Sequence, residues 1–323
     1  MLGFLGLAFG ACAPDAPHSN PVDPKSPSYN PDGVLSGQVL PLGAPYIGIP
    51  NALVVILQDS AAQLTAPDGS FLFQNAPVGN ITVVISKQSY ATDTMQVTLQ
   101  AHKSLDTVAH LDALPQVSGA QVVTSKIDQW YYGPVYSALV TAAINDPDGI
   151  GDINPDSVYV HIDTLAVQMA YSITDKNWQA TIPESIVPNG DIQWLIGRAF
   201  QVTAADRENN IGSSQPFYTT RIIEAEPGPI YPVYPDTTTP YPQLSWNSPF
   251  PSVSFDYSYI IQVFLNTSGA ATQVGNSIAL SSNAIAYNLT DSLPDGQYFW
   301  TIAIIDSFGN SSTSREAAFT VVH

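Results

Sequence analysis

Short stretches with alternating apolar and polar residues decide the fold, and the clearest is Met95–Gln100 (MQVTLQ). Met95, Val97 and Leu99 alternate with polar residues, which is the two-residue period of a strand with one buried face. Ala199–Ala205 (AFQVTAA) repeats this alternation in another part of the chain. Around such strands the sequence shows turn signals and no helical period, so it predicts an all-β protein.

The composition bounds the size and class of the protein. A chain of 323 residues is long enough for two or three domains. Its 9 Lys and Arg against 27 Asp and Glu give a formal net charge of -18, which excludes nucleic acid as a partner. A hydrophobic content of 45% with 27 Pro and 21 Gly is typical of a β-rich, turn-rich globular chain.

The first residues have the features of an export signal. Leu2–Ala11 is apolar but too short to span a membrane, and it ends at Cys12, the only cysteine. Phe9–Cys12 (FGAC) resembles a bacterial lipobox, although Phe9 stands where Leu is usual and no Lys or Arg precedes the apolar run. We expect residues 1–12 to be a signal and lipobox segment, and Cys12 to be lipidated at the outer membrane or cell surface. The alternative is an unmodified cysteine buried on an apolar strand.

Residues 13–32 contain six prolines and predict an extended tether. Residues 33–113 contain at least five short strand signals separated by turns such as Pro67–Gly69. This pattern predicts a small antiparallel β-sandwich.

The same residues carry a resemblance to a known family. The matching segments are Ser36–Val39 (SGQV), Ile49–Val54 (IPNALV), Thr65–Phe73 (TAPDGSFLF), Ala76–Gly79 (APVG) and Lys87–Tyr90 (KQSY). Together they resemble the carboxypeptidase regulatory-like family, with Ser89 where that family usually has Gly. The resemblance implies a prealbumin-like sandwich, found as a non-catalytic first module of secreted and outer-membrane proteins.

Two further modules are expected. Residues 117–222 are similar to immunoglobulin-like modules, and their short strands predict a second two-sheet sandwich. Residues 223–242 are rich in Pro and Tyr and predict a semi-rigid linker. Residues 243–323 resemble a fibronectin type III module, with Trp246 in the core and Tyr298 at a tyrosine corner. The predicted architecture is therefore three tandem antiparallel β-sandwiches, prealbumin-like, Ig-like and fibronectin III-like, joined by Pro-rich linkers.

One cluster of carboxylates is a candidate metal site. Asp146, Asp148, Asp152 and Asp156 lie within eleven residues of each other around Gly149. Because Ca²⁺ prefers six to eight oxygen ligands, alternating aspartates at a turn can direct several carboxylates to one ion. The alternative is a connecting turn in which the Asp side chains cap backbone amides.

Clustered aromatic residues are the other candidate binding site. Tyr231, Tyr234 and Tyr241 crowd the predicted linker, while Trp130, Tyr131 and Tyr132 are consecutive in the second module. Aromatic platforms stack on sugars or anchor protein partners. The alternative is that they fill junctions between domains and the cores of domains.

The sequence carries no motif for catalysis. It contains no nucleophile elbow, P-loop or dinucleotide-binding pattern, and its five histidines lack the spacing of a helical zinc motif. We therefore expect no enzyme activity. The expected function is a scaffold, adhesion or complex-accessory lipoprotein that binds envelope or surface proteins. The alternative is a carbohydrate-binding accessory protein of a glycan-degrading system.

Overall fold

The computed structural model describes residues 18–20, 23, 25, 26, 29 and 31–323. The predicted signal segment with Cys12, and most of the predicted tether, lie outside these residues. The chain divides into two compact units, residues 1–113 and residues 114–323. Within the described ranges, every helix is too short to cross a lipid bilayer.

The described part of the first unit contains seven strands. In chain order they are β1 (Gly33–Pro41), β2 (Leu53–Ile56), β3 (Ala61–Leu64), β4 (Ser70–Ala76), β5 (Gly79–Ser86), β6 (Asp93–Leu99) and β7 (Ser104–Leu111). They form a three-stranded sheet in the order β4-β1-β7 and a four-stranded sheet in the order β3-β2-β5-β6. All of these pairs are antiparallel except β1 and β7, which are parallel.

Alternation places the core of the first unit between its two sheets. Ile81, Val83 and Ile85 of β5 are fully buried, and they share one hydrophobic cluster with Leu35 and Leu111 from the other sheet. In β6 the alternating residues of Met95–Gln100 follow the expected pattern, with the polar positions exposed. Burying one such aliphatic side chain contributes about 1.5–3 kcal/mol. The sandwich predicted from the strand signals is confirmed.

The second unit begins with nine strands and three short 3-10 helices. The strands are β8 (Gln116–Ile127), β9 (Val135–Asn145), β10 (Ile153–Ile162), β11 (Leu165–Gln168), β12 (Ala170–Ser172), β13 (Asn177–Pro183), β14 (Ala199–Asp206), β15 (Ile211–Ser213) and β16 (Phe217–Tyr218). The 3-10 helices span Glu184–Ile186, Pro188–Gly190 and Ile192–Leu195. Phe200, Val202 and Ala204 all face the core, as their alternation predicts.

Ten more strands complete the second unit. They are β17 (Glu226–Tyr231), β18 (Thr237–Thr238), β19 (Gln243–Phe250), β20 (Tyr257–Thr267), β21 (Ala270–Gln273), β22 (Ile278–Ser281), β23 (Ala286–Asn288), β24 (Gly296–Asp306), β25 (Ser311–Thr313) and β26 (Ala317–Val321). Their core contains Trp246, Tyr298 and Trp300, each at most 2% exposed. Tyr298 Oη donates to the carbonyl of Pro294 at 3.0 Å, which is the hydrogen bond of a tyrosine corner.

The segment expected to be a linker, residues 223–242, is instead built into this last sandwich. Strand β17 pairs with β19, and β18 pairs with β26. Trp300 Nε1 donates to the carbonyl of Pro232 at 2.9 Å, and Ile223 and Ala225 belong to the same hydrophobic cluster as Trp300. Proline lacks an amide donor but keeps its carbonyl, so a Pro-rich segment can still join a sheet as an edge strand.

A short parallel ladder joins the two sandwiches of the second unit. Residues Ser311–Thr313 of β25 pair with Ser125–Ile127 of β8, which makes one continuous eleven-stranded sheet. Beside this ladder the buried Asn310 accepts from the backbone amide of Thr124 at 2.9 Å and donates to Thr220 Oγ1 at 2.7 Å. Two distinct hydrophobic clusters are therefore held in one compact unit.

Candidate functional site

An aromatic groove of about 550 Å³ lies within the second unit. We call it the junction groove, because one wall comes from the loop between β8 and β9 and the other from the last sandwich. Its lining residues are Trp130, Pro229, Val233, Tyr234, Arg315, Glu316, Ala317 and Ala318. Trp130 is 72% exposed and Tyr234 is 83% exposed, so both rings are available to a ligand.

Polar contacts fix the orientation of Trp130. Its indole Nε1 donates to the carbonyl of Glu316 at 2.8 Å, and the guanidinium of Arg315 lies 5.6 Å from the ring centroid. Arg315 Nε in turn forms an ion pair with the buried Asp128 at 2.7 Å. The main aromatic residue of the groove is therefore held in place before any ligand binds.

The three tyrosines expected to bind a ligand do not form one site. Tyr234 lines the junction groove, whereas Tyr231 and Tyr241 are exposed residues outside its lining. Tyr131 and Tyr132 follow Trp130 and are 86% and 79% exposed, with their rings in edge contact at an angle of 83°. Sequence reasoning missed Arg315 and Glu316, because nothing in the chain pattern connects them with Trp130.

The structure brings together three of the four expected metal ligands. Carboxylate oxygens of Asp146, Asp148 and Asp152 lie within 4.8 Å of one another, while Asp156 is outside this group. The alternative interpretation was a turn in which Asp side chains cap backbone amides. One such hydrogen bond is present, because the amide of Asp148 donates to Asp146 Oδ1 at 2.9 Å. Gly149 has a φ of +118° that lets the backbone turn here.

Burial and mutual repulsion disfavour ionisation in this cluster. Burial raises the pKa of Asp146 to about 6, and the charges of Asp152, Asp148 and Asp206 add to this rise. Burial is also the largest cause that raises the pKa of Asp152, followed by the charge of Glu208. The cluster therefore holds more negative charge than its protein surroundings balance.

The histidines are separate from both of these sites. His161 Nε2 lies 3.0 Å from Thr203 Oγ1 on the neighbouring strand β14, and His110 Nδ1 lies 3.1 Å from the carbonyl of Pro41. His323 pairs with Asp295 near the end of the chain. Each of these imidazoles has a local partner that orients it.

Comparison with known proteins finds similar solved structures only. No family model matches the chain, and no curated protein matches it. Among solved structures, three fibronectin domains of chicken CNTN1 show 11% identity and a TM-score of 0.33, covering 86% of this chain and 93% of that one. The major pilin subunit BcpA of Bacillus cereus shows 9% identity and a TM-score of 0.31, covering 90% and 99%.

A third similar structure is a DUF3823 family protein from Bacteroides ovatus, with 13% identity and a TM-score of 0.27 over 58% of this chain and 98% of that one. The strand pairing of this chain itself shows an all-β protein built of packed sheets.

Proposed function

We propose that the protein is a non-catalytic accessory or adhesion protein of the cell surface that holds another envelope protein in the junction groove. The observation that carries this proposal is the fixed, exposed Trp130 beside Tyr234 and Arg315. Trp, Tyr and Arg are the residues most enriched at the energetic centres of protein interfaces. A groove whose walls are already ordered loses less entropy on binding than a mobile one.

The continuous sheet between the two sandwiches supports a scaffold role. Because β8 and β25 share ladder hydrogen bonds, the two walls of the groove keep a defined spacing. A partner segment inserted between them would contact both sandwiches at once.

The test is co-purification from detergent-solubilised envelopes. We expect the wild-type protein to recover a defined partner, and Trp130→Ala to reduce its recovery at least about tenfold. Tyr218→Ala is the matched control, because Tyr218 is also an exposed aromatic residue, at 55%, and lies outside the groove. The same partner recovered in equal amount with Trp130→Ala would contradict the proposal.

Carbohydrate binding is the second candidate, and the exposure of the consecutive residues Trp130, Tyr131 and Tyr132 favours it. Their aromatic faces can stack on the apolar faces of sugar rings. The rings of Tyr131 and Tyr132 are nearly perpendicular, so the pair does not form one flat platform, and this function ranks second.

A glycan array followed by titration calorimetry separates the two candidates. Tyr131 and Tyr132 lie outside the groove lining, so a sugar platform would lose affinity with Tyr132→Ala and keep it with Tyr234→Ala. A protein partner held in the groove would show the reverse dependence. Absence of binding to every glycan tested would remove the second candidate.

The proposed location is the outer membrane or cell surface, with a lipid anchor at Cys12. The apolar run before Cys12 and the lipobox-like FGAC sequence support this location. Residues 33–113 would then be a carboxypeptidase regulatory-like module close to the membrane. Partners would be envelope proteins, and no enzyme activity is proposed.

A further inference from the structure

The two sandwiches of the second unit contain the same hydrogen-bonded turn one hundred positions apart. At the end of β14, the amide of Asp206 donates to the carbonyl of Asn210 at 3.1 Å, and the amide of Asn210 donates to Asp206 Oδ1 at 2.7 Å. At the end of β24, Asp306 and Asn310 make the same two bonds at 3.0 and 2.9 Å. The two turns therefore provide an internal comparison.

The second carboxylate oxygen distinguishes the two turns. Asp306 Oδ2 accepts from Asn310 Nδ2 at 3.0 Å and forms an ion pair with Arg221 Nε at 3.1 Å. Asp206 is fully buried, at 0% exposure, yet within the described residues its Oδ2 has no hydrogen-bond partner. A buried ionised carboxylate without a partner is costly, so the position that Arg221 fills in one turn calls for a cation in the other.

Carboxylates lie close to Asp206, whereas the other turn has a guanidinium beside its aspartate. Oxygens of Asp152, Asp206 and Glu208 lie within 4.8 Å of one another, and Asp152 also belongs to the group with Asp146 and Asp148. The Oδ2 atoms of Asp146 and Asp152 are buried and lack a partner as well. Asp146 is only 8% exposed, so bulk water does not solvate it.

The nearest basic residue in the chain, Arg207, follows Asp206 and is exposed. Within the described residues, no hydrogen-bond donor reaches the buried Oδ2 atoms of Asp146, Asp152 and Asp206. These oxygens therefore lack the hydrogen-bonded counter-charge that Arg221 gives to Asp306.

We infer that this cluster is a Ca²⁺ site centred on Asp152, which lies within 4.8 Å of the buried Asp206 and of Glu208 in one group and of Asp146 and Asp148 in the other. All donors are hard oxygens, which Ca²⁺ and Mg²⁺ prefer. The site lies where a turn meets a strand end. Ca²⁺ tolerates such irregular, carboxylate-rich surroundings better than Mg²⁺, which demands an octahedron and keeps its water. The ion would take the role that Arg221 has beside Asp306.

The test uses the full chain, with calorimetric titration of CaCl₂ into EDTA-treated protein at pH 7 and with thermal unfolding. We expect one Ca²⁺ per chain, and a melting transition raised by about 5 °C or more at a hundredfold excess over Kd. Asp148→Asn should weaken the affinity at least about tenfold, because it removes one ligand charge and keeps the backbone turn. Asp156→Asn is the matched control, and it should bind within about twofold of wild type.

Asp206→Asn should abolish binding, and Asp148→Asn carries the test if that buried variant fails to fold. The inference is overturned by identical melting curves in EDTA and in 10 mM CaCl₂, or by a calcium shift as large in Asp148→Asn as in wild type. Equal stabilisation by Mg²⁺ at the same concentration would overturn the choice of calcium.

Discussion

Three residues of the first unit with a positive φ differ in how closely other atoms pack around them. Gly69 has a φ of +80°, and a Cβ there would lie 2.5 Å from the carbonyl oxygen of Val39. Gly79 has a φ of +100° with nothing within 4 Å of the same position. Ser89 has a φ of +67°, at the position where the resembling family usually has Gly. Substitutions at the three positions therefore separate the free-energy cost of an unfavourable φ from the cost of a steric clash.

Gly69→Ala should destabilise the first unit by about 2–4 kcal/mol, because the methyl group adds overpacking to an unfavourable φ. Gly79→Ala is the control and should cost about 1 kcal/mol from conformation alone. Urea unfolding and calorimetry of the first unit measure the loss of unfolding free energy in both variants. Equal losses in the two variants would show that the contact with Val39 is unimportant.

Ser89→Gly should stabilise the first unit by about 0.5–1 kcal/mol. Glycine reaches a positive φ without steric cost, and this gain exceeds the extra entropy of the unfolded chain. Ser89 is exposed, so little packing is lost with its side chain. The same denaturation experiment tests the sign, and a lower midpoint would contradict the prediction.

At the scale of elements, alternation was enough to predict strands and their buried faces, as in β6 and β14. The aspartate turn was also predictable in part, because Asp146, Asp148 and Asp152 are near neighbours in the chain. Pairing between distant strands was not predictable. The paired residues of β8 and β25 are separated by more than 180 positions, and the sequence of each strand shows only that its backbone needs a hydrogen-bonding partner, without showing which one. The role of Asp206 was missed for the same reason, because only the fold brings it to the loop.

Asn310→Ala should destabilise the second unit by about 2–4 kcal/mol, because Asn310 is fully buried and its side chain bonds Thr124, Thr220 and Asp306. Hydrogen exchange of the β8 and β25 amides should accelerate in the same variant. Asn288→Ala is the control, because Asn288 is exposed at the end of β23. Unchanged protection of β8 would show that Asn310 does not hold the ladder.

At the scale of the whole molecule, the structure places a domain boundary at a different point from the one that the composition predicts. Proline-rich composition suggested a linker over residues 223–242, but this stretch supplies β17, β18 and the carbonyl that pairs with Trp300. A high proline content indicates that few backbone amides can donate hydrogen bonds. It does not indicate whether the carbonyls accept hydrogen bonds or whether the side chains pack in a core. The last sandwich therefore begins near Ile223.

An excised fragment tests this boundary. Residues 220–323, which keep Arg221 beside Asp306, should unfold cooperatively. Residues 243–323 should not, because the shorter fragment leaves Trp300 Nε1 without its acceptor and uncovers β19. Near-ultraviolet circular dichroism and thermal unfolding of the two fragments provide the measurement. Cooperative unfolding of the shorter fragment would restore the linker interpretation.

Cys12→Ser should release the protein from the membrane fraction into the aqueous phase of a detergent partition. Stable attachment needs two or more acyl chains, which a lipidated amino-terminal cysteine carries and a serine does not. Ser19→Ala, which leaves Cys12 intact, is the control and should remain in the detergent phase. An intact mass that corresponds to an unmodified amino terminus at Met1 would contradict the anchor.

The parallel ladder between β8 and β25 has a mechanical consequence. Since the two strands run in the same direction, tension that enters through the amino-terminal end of β8 and leaves through the carboxyl-terminal end of β25 pulls them past each other. The hydrogen bonds between β8 and β25 are then loaded together in shear, whereas a peeling geometry would break them one after another. Under tension along this line, the two sandwiches would thus resist separation with only three paired residues on each strand.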